Sequence, residues 1–331
     1  MTTRKAYTAA LSKLAHTDMT PAFGPGSLGL LLVSGLGPEY PALRRRVLES
    51  ARALATLEPE QLATLEVPET MYQTGWSRGR ERLKNDTPDT YKGSFYINCN
   101  FTRTGGLTGG LDHPDAATMS QFPSPLNCYP NVWPGEALLP HFEADLKRLV
   151  GFLTSVTVQV AAACDRTIAG QLAPLDKPLS QVIADSDVCR ARLLHYYEQD
   201  HGPTSAVPSD WCADHVDHSC LTALTSALWG PDCETEPEGD AGLYIAARDG
   251  EVVKAEIPPD CIAIQSGTAL ELMSGGLFKA VPHRVIGDLS RYRSTLAVFC
   301  QPRLEDKVGE TTFASFSEGV IQSFNRAETG A

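Results

Sequence analysis

The spacing of apolar and polar residues divides the chain into two textures. Residues 28–34, Leu-Gly-Leu-Leu-Leu-Val-Ser, form a short apolar run closed by Gly35. Such a run predicts a buried strand. From Pro41 to Leu57 the residues Leu43, Val47, Leu54 and Leu57 fall at near-helical spacing, and Pro41 suits a first turn. Glu58-Pro59-Glu60-Gln61 opens another short helix. Residues 84–92 read as a polar loop, and 93–98, Gly-Ser-Phe-Tyr-Ile-Asn, as a strand. Residues 102–130 are rich in Gly, Pro, Ser and Thr and predict a long irregular connection, of the kind that is usually functional or mobile. From Glu136 to about Arg166, Leu139, Phe142, Leu146, Leu149, Leu153, Val156 and Val160 supply the apolar stripe of a long helix, the spine of the fold.

Beyond Arg190 the period shortens. The segments 243–247, 252–255, 261–264 and 295–300 are strand-like, and turn signals such as Asp249-Gly250, Pro258-Pro259-Asp260 and Ser274-Gly275-Gly276 separate them. Many short strands at this spacing predict a sandwich or jelly roll. The fold class is therefore α+β. A sandwich or jelly-roll core, in the second case a double-stranded β-helix, carries the spine helix and N-terminal helical and strand elements. The divisions are an N-terminal region at 1–135 with a candidate lid at 102–130, and the spine helix and its connection at 136–185. A jelly-roll core at 186–305 and a tail or helix at 306–331 follow, all packed as one unit. Residues 231–240 are an acidic surface loop.

At 331 residues and 42% hydrophobic, the chain has enough apolar surface for a large core. Its formal net charge of −12 disfavours nucleic acid, whose phosphates need clustered Lys and Arg. The one tight basic run, Arg44-Arg45-Arg46, falls in the first helix and reads as a solvated face. Nine cysteines, odd in number and with no C-x-x-C pair, argue for reduced thiols and against a zinc finger. With no secretory leader legible, a cytoplasmic protein is expected. The start, Met1 to His16, carries Arg4, Lys5 and Lys13 without an acid, which leaves an organelle address as the other reading. The apolar run Leu28 to Leu36 is too short to cross a bilayer. No membrane partner is expected, and the protein is expected to be a monomer.

The candidate chemistry is carried by His215-Val216-Asp217, with His283 far downstream in Pro282-His283-Arg284-Val285. On an extended strand, residues two apart share a face, so one short segment can offer both His215 and Asp217 to one metal. His283 would come from a strand alongside. Two histidines and one carboxylate form the ligand set expected of a mononuclear non-haem Fe(II) site, with positions left open. Asp214 and His218 flank the pair, but His218 is out of phase with His215. Arg293 and Thr295 stand at alternate positions of the next strand. A guanidinium fork with a hydroxyl beside it suits the distal carboxylate of 2-oxoglutarate.

Together these residues resemble the Fe(II)/2-oxoglutarate-dependent dioxygenase superfamily, in particular its isopenicillin N synthase-like branch. Residues 28–35, Glu58-Pro59-Glu60, 94–98, Asn131-Val132-Trp133-Pro134 and Arg192-Leu193-Leu194-His195-Tyr196 also resemble that branch, as do Leu221-Thr222 and Leu224. The chain departs from many plant relatives at Leu194, where they carry Asn, and at Thr295, where they carry Ser. Leu194 cannot hydrogen-bond a cosubstrate.

The resemblance implies that His215, Asp217 and His283 hold Fe(II), that Arg293 and Thr295 anchor 2-oxoglutarate with Tyr196 assisting, and that O₂ takes the remaining position. Oxidative decarboxylation would release succinate and CO₂ and drive hydroxylation, cyclisation or desaturation at a substrate C–H bond. Lys92, Tyr96, Asn98 and Arg103 are the candidate substrate contacts. The expected partner is a small molecule, amino-acid-like or another specialised metabolite. Two other readings stand beside this one. The first is an iron oxidase of the same fold that does not use 2-oxoglutarate, since some branch members keep the Arg-x-Ser pair without it. The second is a non-catalytic metal-binding jelly roll.

Overall fold

The computed structural model describes residues 4–80, 88–104, 110–172, 175–198, 210–230, 240–287 and 290–320. Parts of the expected loops at 84–92, 102–130 and 231–240, with Cys233 and the end of the expected tail, lie outside the described residues.

The N-terminal half contributes β1 (Tyr7–Ala10), α1 (Thr20–Phe23), β2 (Leu30–Ser34), α2 (Glu39–Ala55), α3 (Pro59–Ala63), β3 (Gly75–Arg78) and β4 (Lys92–Asn98). Three short helices follow, α4 (Phe101–Thr104), α5 (Ala116–Gln121) and α6 (Pro125–Cys128), and then the long α7 (Phe142–Gln171) and α8 (Leu179–Asp185). The C-terminal half is mainly strands: β5 (Arg190–Tyr196), β6 (Asp210–His215), β7 (Leu221–Thr225), β8 (Leu228–Trp229), β9 (Gly242–Ala246), β10 (Val252–Ala255) and β11 (Ile262–Ser266). After α9 (Thr268–Met273) come β12 (His283–Ile286) and β13 (Arg293–Cys300).

A nine-stranded sheet runs β1-β2-β11-β7-β13-β5-β4-β3, with β8 on β13, and a four-stranded sheet runs β10-β9-β12-β6. Each face of the large sheet has its own core. Leu31, Val33, Phe95, Ile97, Leu193, Leu296 and Val298 join the buried stripes of α2 and α7. The alternate residues Leu30, Leu32, Leu194, Tyr196, Trp229 and Ala263 join Leu243, Ile245 and Val285 of the small sheet. The two sheets thus enclose an inner core, as a jelly roll requires. The unbroken run in β2 follows directly, because both its faces are covered. Each buried Leu, Ile or Val contributes about 1.5–3 kcal/mol, so a one-residue slip would move a whole row out of its core.

Three expectations change. Arg44 is not part of a solvated face: it is fully buried and its guanidinium donates to the Ser226 carbonyl at 3.0 Å. The long helix starts at Phe142, not Glu136, and runs to Gln171, past Arg166. Pro140 lacks an amide N–H and disfavours helical geometry at Leu139, and His141 is left-handed at φ 63°. The connection 102–130 is also less irregular than its composition predicts, since α5 and α6 interrupt it; Pro125 occupies the first turn of α6. By length and composition α7 could cross a membrane, but its apolar side is buried in the outer core. The eight described cysteines form no disulfide.

Candidate metal and cosubstrate site

β6 and β12 are antiparallel neighbours, and His283 is the direct partner of His215. Cross-strand partners share a face, which brings residues from distant parts of the chain together. Asp217 is not on the strand. β6 ends at His215, and Asp217 follows in the turn, where its carbonyl accepts the Thr268 amide (2.8 Å) and hydroxyl (3.1 Å). The strand-phase argument for the pair is corrected accordingly: a backbone clamp from α9, rather than the pleat, aims this carboxylate.

The His215 and His283 rings are 4.1 Å apart between centroids. Asp217 Oδ1 is 3.9 Å from Nε2 of each histidine, and the ligand atoms of all three lie within 4.8 Å of one another. Metal–donor bonds of roughly 2.0–2.2 Å would need the set to draw in by about 1 Å. His215, with its side chain 31% exposed, has room to turn. The donor set, two imidazoles and a carboxylate from three backbone positions, fits a single iron with open positions. Burial, opposed by Asp217, lowers the His283 pKa to about 4, so the ring is neutral at neutral pH, as a ligand must be. The flanking candidates point elsewhere. Asp214 pairs with Arg284 at 3.4 Å, and His218 stacks on Phe313.

Arg293, 5% exposed, faces the same interior. It is the cross-strand partner of both Tyr196 and Trp229, and its guanidinium carbon stands 5.4 and 5.6 Å from their ring centres. Nε and Nη1 of Arg293 are buried with no hydrogen-bond partner. Buried donors left unpaired are costly, and an entering carboxylate, accepting from Nε or from Nη1 in a fork with Nη2, would relieve part of that cost. Thr295, opposite Leu194, directs its hydroxyl to the Thr225 carbonyl at 3.3 Å. Burial raises the pKa of Tyr196 and keeps its phenol protonated.

The substrate candidates separate. Lys92 is the partner of Tyr196 and so shares the row of Arg293. It is buried beside Asp89 at 2.8 Å. Tyr96 sits further along the same face, under the Arg192 guanidinium. Asn98 and Arg103 are not brought to this row. Six residues of extended chain, about 20 Å, separate Asn98 from Lys92, and Asn98 is tied to Asp187, Asn131 and Asn100. Arg103 is bonded to Asp115 and Asn100. Asn98 caps the end of the strand and is not a wall residue of the kind that the family resemblance implies.

Residues 189–302 match the 2OG-Fe(II) oxygenase superfamily, and the three ligand candidates and Arg293 all fall inside that stretch. That stretch is about a third of the chain, and over it the chain is similar to the superfamily. The donor set and the two unpartnered donors of Arg293 suit Fe(II) and an anionic cosubstrate such as 2-oxoglutarate. The chain is 33% identical to gibberellin 2-beta-dioxygenase 2 of Arabidopsis thaliana over 134 residues, 39% of this chain and 35% of that protein. The chain therefore spans about a third of that relative's length. A 2OG-Fe(II) oxygenase family protein of Caulobacter crescentus shares the fold with a TM-score of 0.70 at 18% identity, over 96% of this chain and 98% of that one. JOX2, solved with 2OG, Fe and JA, gives a TM-score of 0.66 at 15% identity, over 96% and 85%.

Two neighbours of the site have no sequence motif. Cys212 Sγ is 3.6 Å from His215 Nδ1, and the Gln265 amide meets His283 Nδ1. The inward phase of Gln265 in an otherwise apolar strand, Ile262-Ala263-Ile264, was the available signal.

Proposed function

We propose that this protein is a 2OG-Fe(II) oxygenase, dependent on Fe(II) and 2-oxoglutarate, that oxidises a C–H bond of a small molecule. The observation that carries the reading is a buried Arg293 with two unpartnered donors, on the wall of the interior that holds His215, Asp217 and His283. His215, Asp217 and His283 are the iron ligands. Arg293 takes the far carboxylate of 2-oxoglutarate in its fork. The Thr295 hydroxyl turns from the Thr225 carbonyl to add a donor, and the protonated Tyr196 flanks the cosubstrate. Leu194, Trp229 and the apolar residues around them exclude water. Iron held by these residues would supply the oxidising power, with O₂ as the oxidant whose two oxygen atoms go to succinate and to the hydroxylated substrate as CO₂ leaves.

The prime substrate is amino-acid-like on this reading. Lys92 and Asp89 form a buried ion pair that offers both signs of charge on the row of Arg293. A zwitterion can exchange partners with such a pair without leaving a buried charge alone.

An anaerobic titration of metal-free protein with Fe(II) and then 2-oxoglutarate tests the reading. A visible charge-transfer band that is lost in Arg293→Ala at limiting cosubstrate is expected. Iron binding without a band would point to an oxidase of the same fold. No iron binding would sink the ligand assignment.

A further inference from the structure

The inner faces of His283 and Gln265 are almost closed to solvent, at 6% and 1% exposure. His283 Nε2 looks toward Asp217 Oδ1 at 3.9 Å. Its other nitrogen, Nδ1, meets the Gln265 side-chain amide, with the Val281 carbonyl further off at 3.4 Å. A neutral imidazole carries one N–H and one lone pair. If Nε2 gives its lone pair to a metal, the proton sits on Nδ1 and needs an acceptor.

The amide is placed with its nitrogen against Nδ1, while Oε1 of Gln265 is buried with no partner. In that orientation Gln265 donates to Nδ1 and leaves the proton on Nε2, the atom a metal would need. The two ends of a glutamine amide have nearly the same shape. Reversing it sets Oε1 against Nδ1–H, which satisfies the orphaned acceptor and frees the Nε2 lone pair toward Asp217.

We propose that Gln265 is a positioning residue that selects the metal-binding tautomer of His283 through an Nδ1–H···Oε1 hydrogen bond. It touches neither substrate nor cosubstrate and acts only through the histidine. The proposal rests on His283 being a metal ligand. The same geometry explains why a polar side chain interrupts the apolar inner face of β11.

Three chains test it: the parent, Gln265→Met, which keeps length and removes the acceptor, and Gln265→Glu, which can only accept at neutral pH. The readouts are anaerobic Fe(II) affinity without cosubstrate, melting of the metal-free protein, and a long-range ¹H–¹⁵N spectrum of the Zn(II)-loaded protein. Loss of the orienting partner of a ligating histidine typically weakens metal binding about 10–100-fold. Expected are that loss in Gln265→Met with metal-free melting near the parent's, and parent-like or tighter binding in Gln265→Glu. The His283 ring should show an Nδ1 proton in the parent and in Gln265→Glu. Equal Fe(II) affinity in Gln265→Met, or an equal loss in both variants, overturns the positioning role. A parent chain that binds no Fe(II) overturns the metal reading beneath it.

Discussion

His283 stands directly opposite His215 across the antiparallel pair of β12 and β6, their rings 4.1 Å apart. One register contact therefore assembles two of the three candidate ligands, and the backbone clamp on Asp217 supplies the third. His215→Ala and Asp217→Ala should each abolish stoichiometric Fe(II) binding. In the parent, Fe(II) at 100 times its dissociation constant should add roughly 2.7 kcal/mol of stability, an effect absent from both variants. Anaerobic melting with and without Fe(II) checks this, and full iron binding by either variant would reject the assignment.

Arg293 gives a second test. Lysine keeps the charge but loses the fork. Charge-assisted hydrogen bonds are worth about 1.5–3 kcal/mol, so Arg293→Lys should weaken 2-oxoglutarate binding roughly 10–100-fold while leaving Fe(II) affinity near the parent's. Calorimetry on the Mn(II)-loaded protein separates the two. An unchanged 2-oxoglutarate affinity would remove Arg293 from the cosubstrate site.

Gly267 supports the metal site from behind. A Cβ there would come within 2.1 Å of the Ser219 carbonyl oxygen and 3.0 Å of that of Asp217. These are backbone atoms and cannot step aside cheaply. Gly267→Ala should cost about 1–3 kcal/mol of stability and, by displacing the Asp217 turn, also lower Fe(II) affinity. Denaturant unfolding combined with metal titration would show both effects; loss of stability with unchanged metal affinity would disconnect the turn from the ligand.

His195 should make the fold acid-sensitive. Burial, assisted by the nearby Arg52 and Arg78 charges, lowers its pKa to about 3, and its ring is held by Ser294 at 2.9 Å. The unfolded chain takes up this proton near pH 6.5, whereas the folded chain does not until about 3. The unfolded state binds more protons in that window, so stability is present above it and falls as pH drops through it. Denaturant melts of the metal-free protein at pH 8, 6 and 5 should show a steeper decline for the parent than for His195→Gln. Parallel declines would mean that another group controls the acid limb.

The legibility of the chain follows from the range of each interaction. Leu30 to Val33 could be read as a buried strand because hydrophobicity is written residue by residue. The start of α7 was misplaced because the stripe residue Leu139 precedes a proline and a left-handed His141, and a backbone break of that kind is weakly marked by periodicity. The resemblance nominated Asn98 and Lys92 alike, yet one is consumed by Asp187, Asn131 and Asn100 and the other lines the row of Arg293.

Residue chemistry and spacing along the chain were enough to read a sandwich or jelly-roll class and to nominate His215, Asp217 and His283 as donors with Arg293 and Thr295 beside them, because residue identity and strand periodicity are local properties. Which atoms meet was decided by the folded chain. The sheet register sets His283 against His215, α9 clamps Asp217, and two packed sheets bury Arg293 with Nε and Nη1 unpartnered and bring Gln265 to Nδ1 of His283. Those contacts join residues far apart in the chain, and their geometry is fixed only when the inner and outer cores close together.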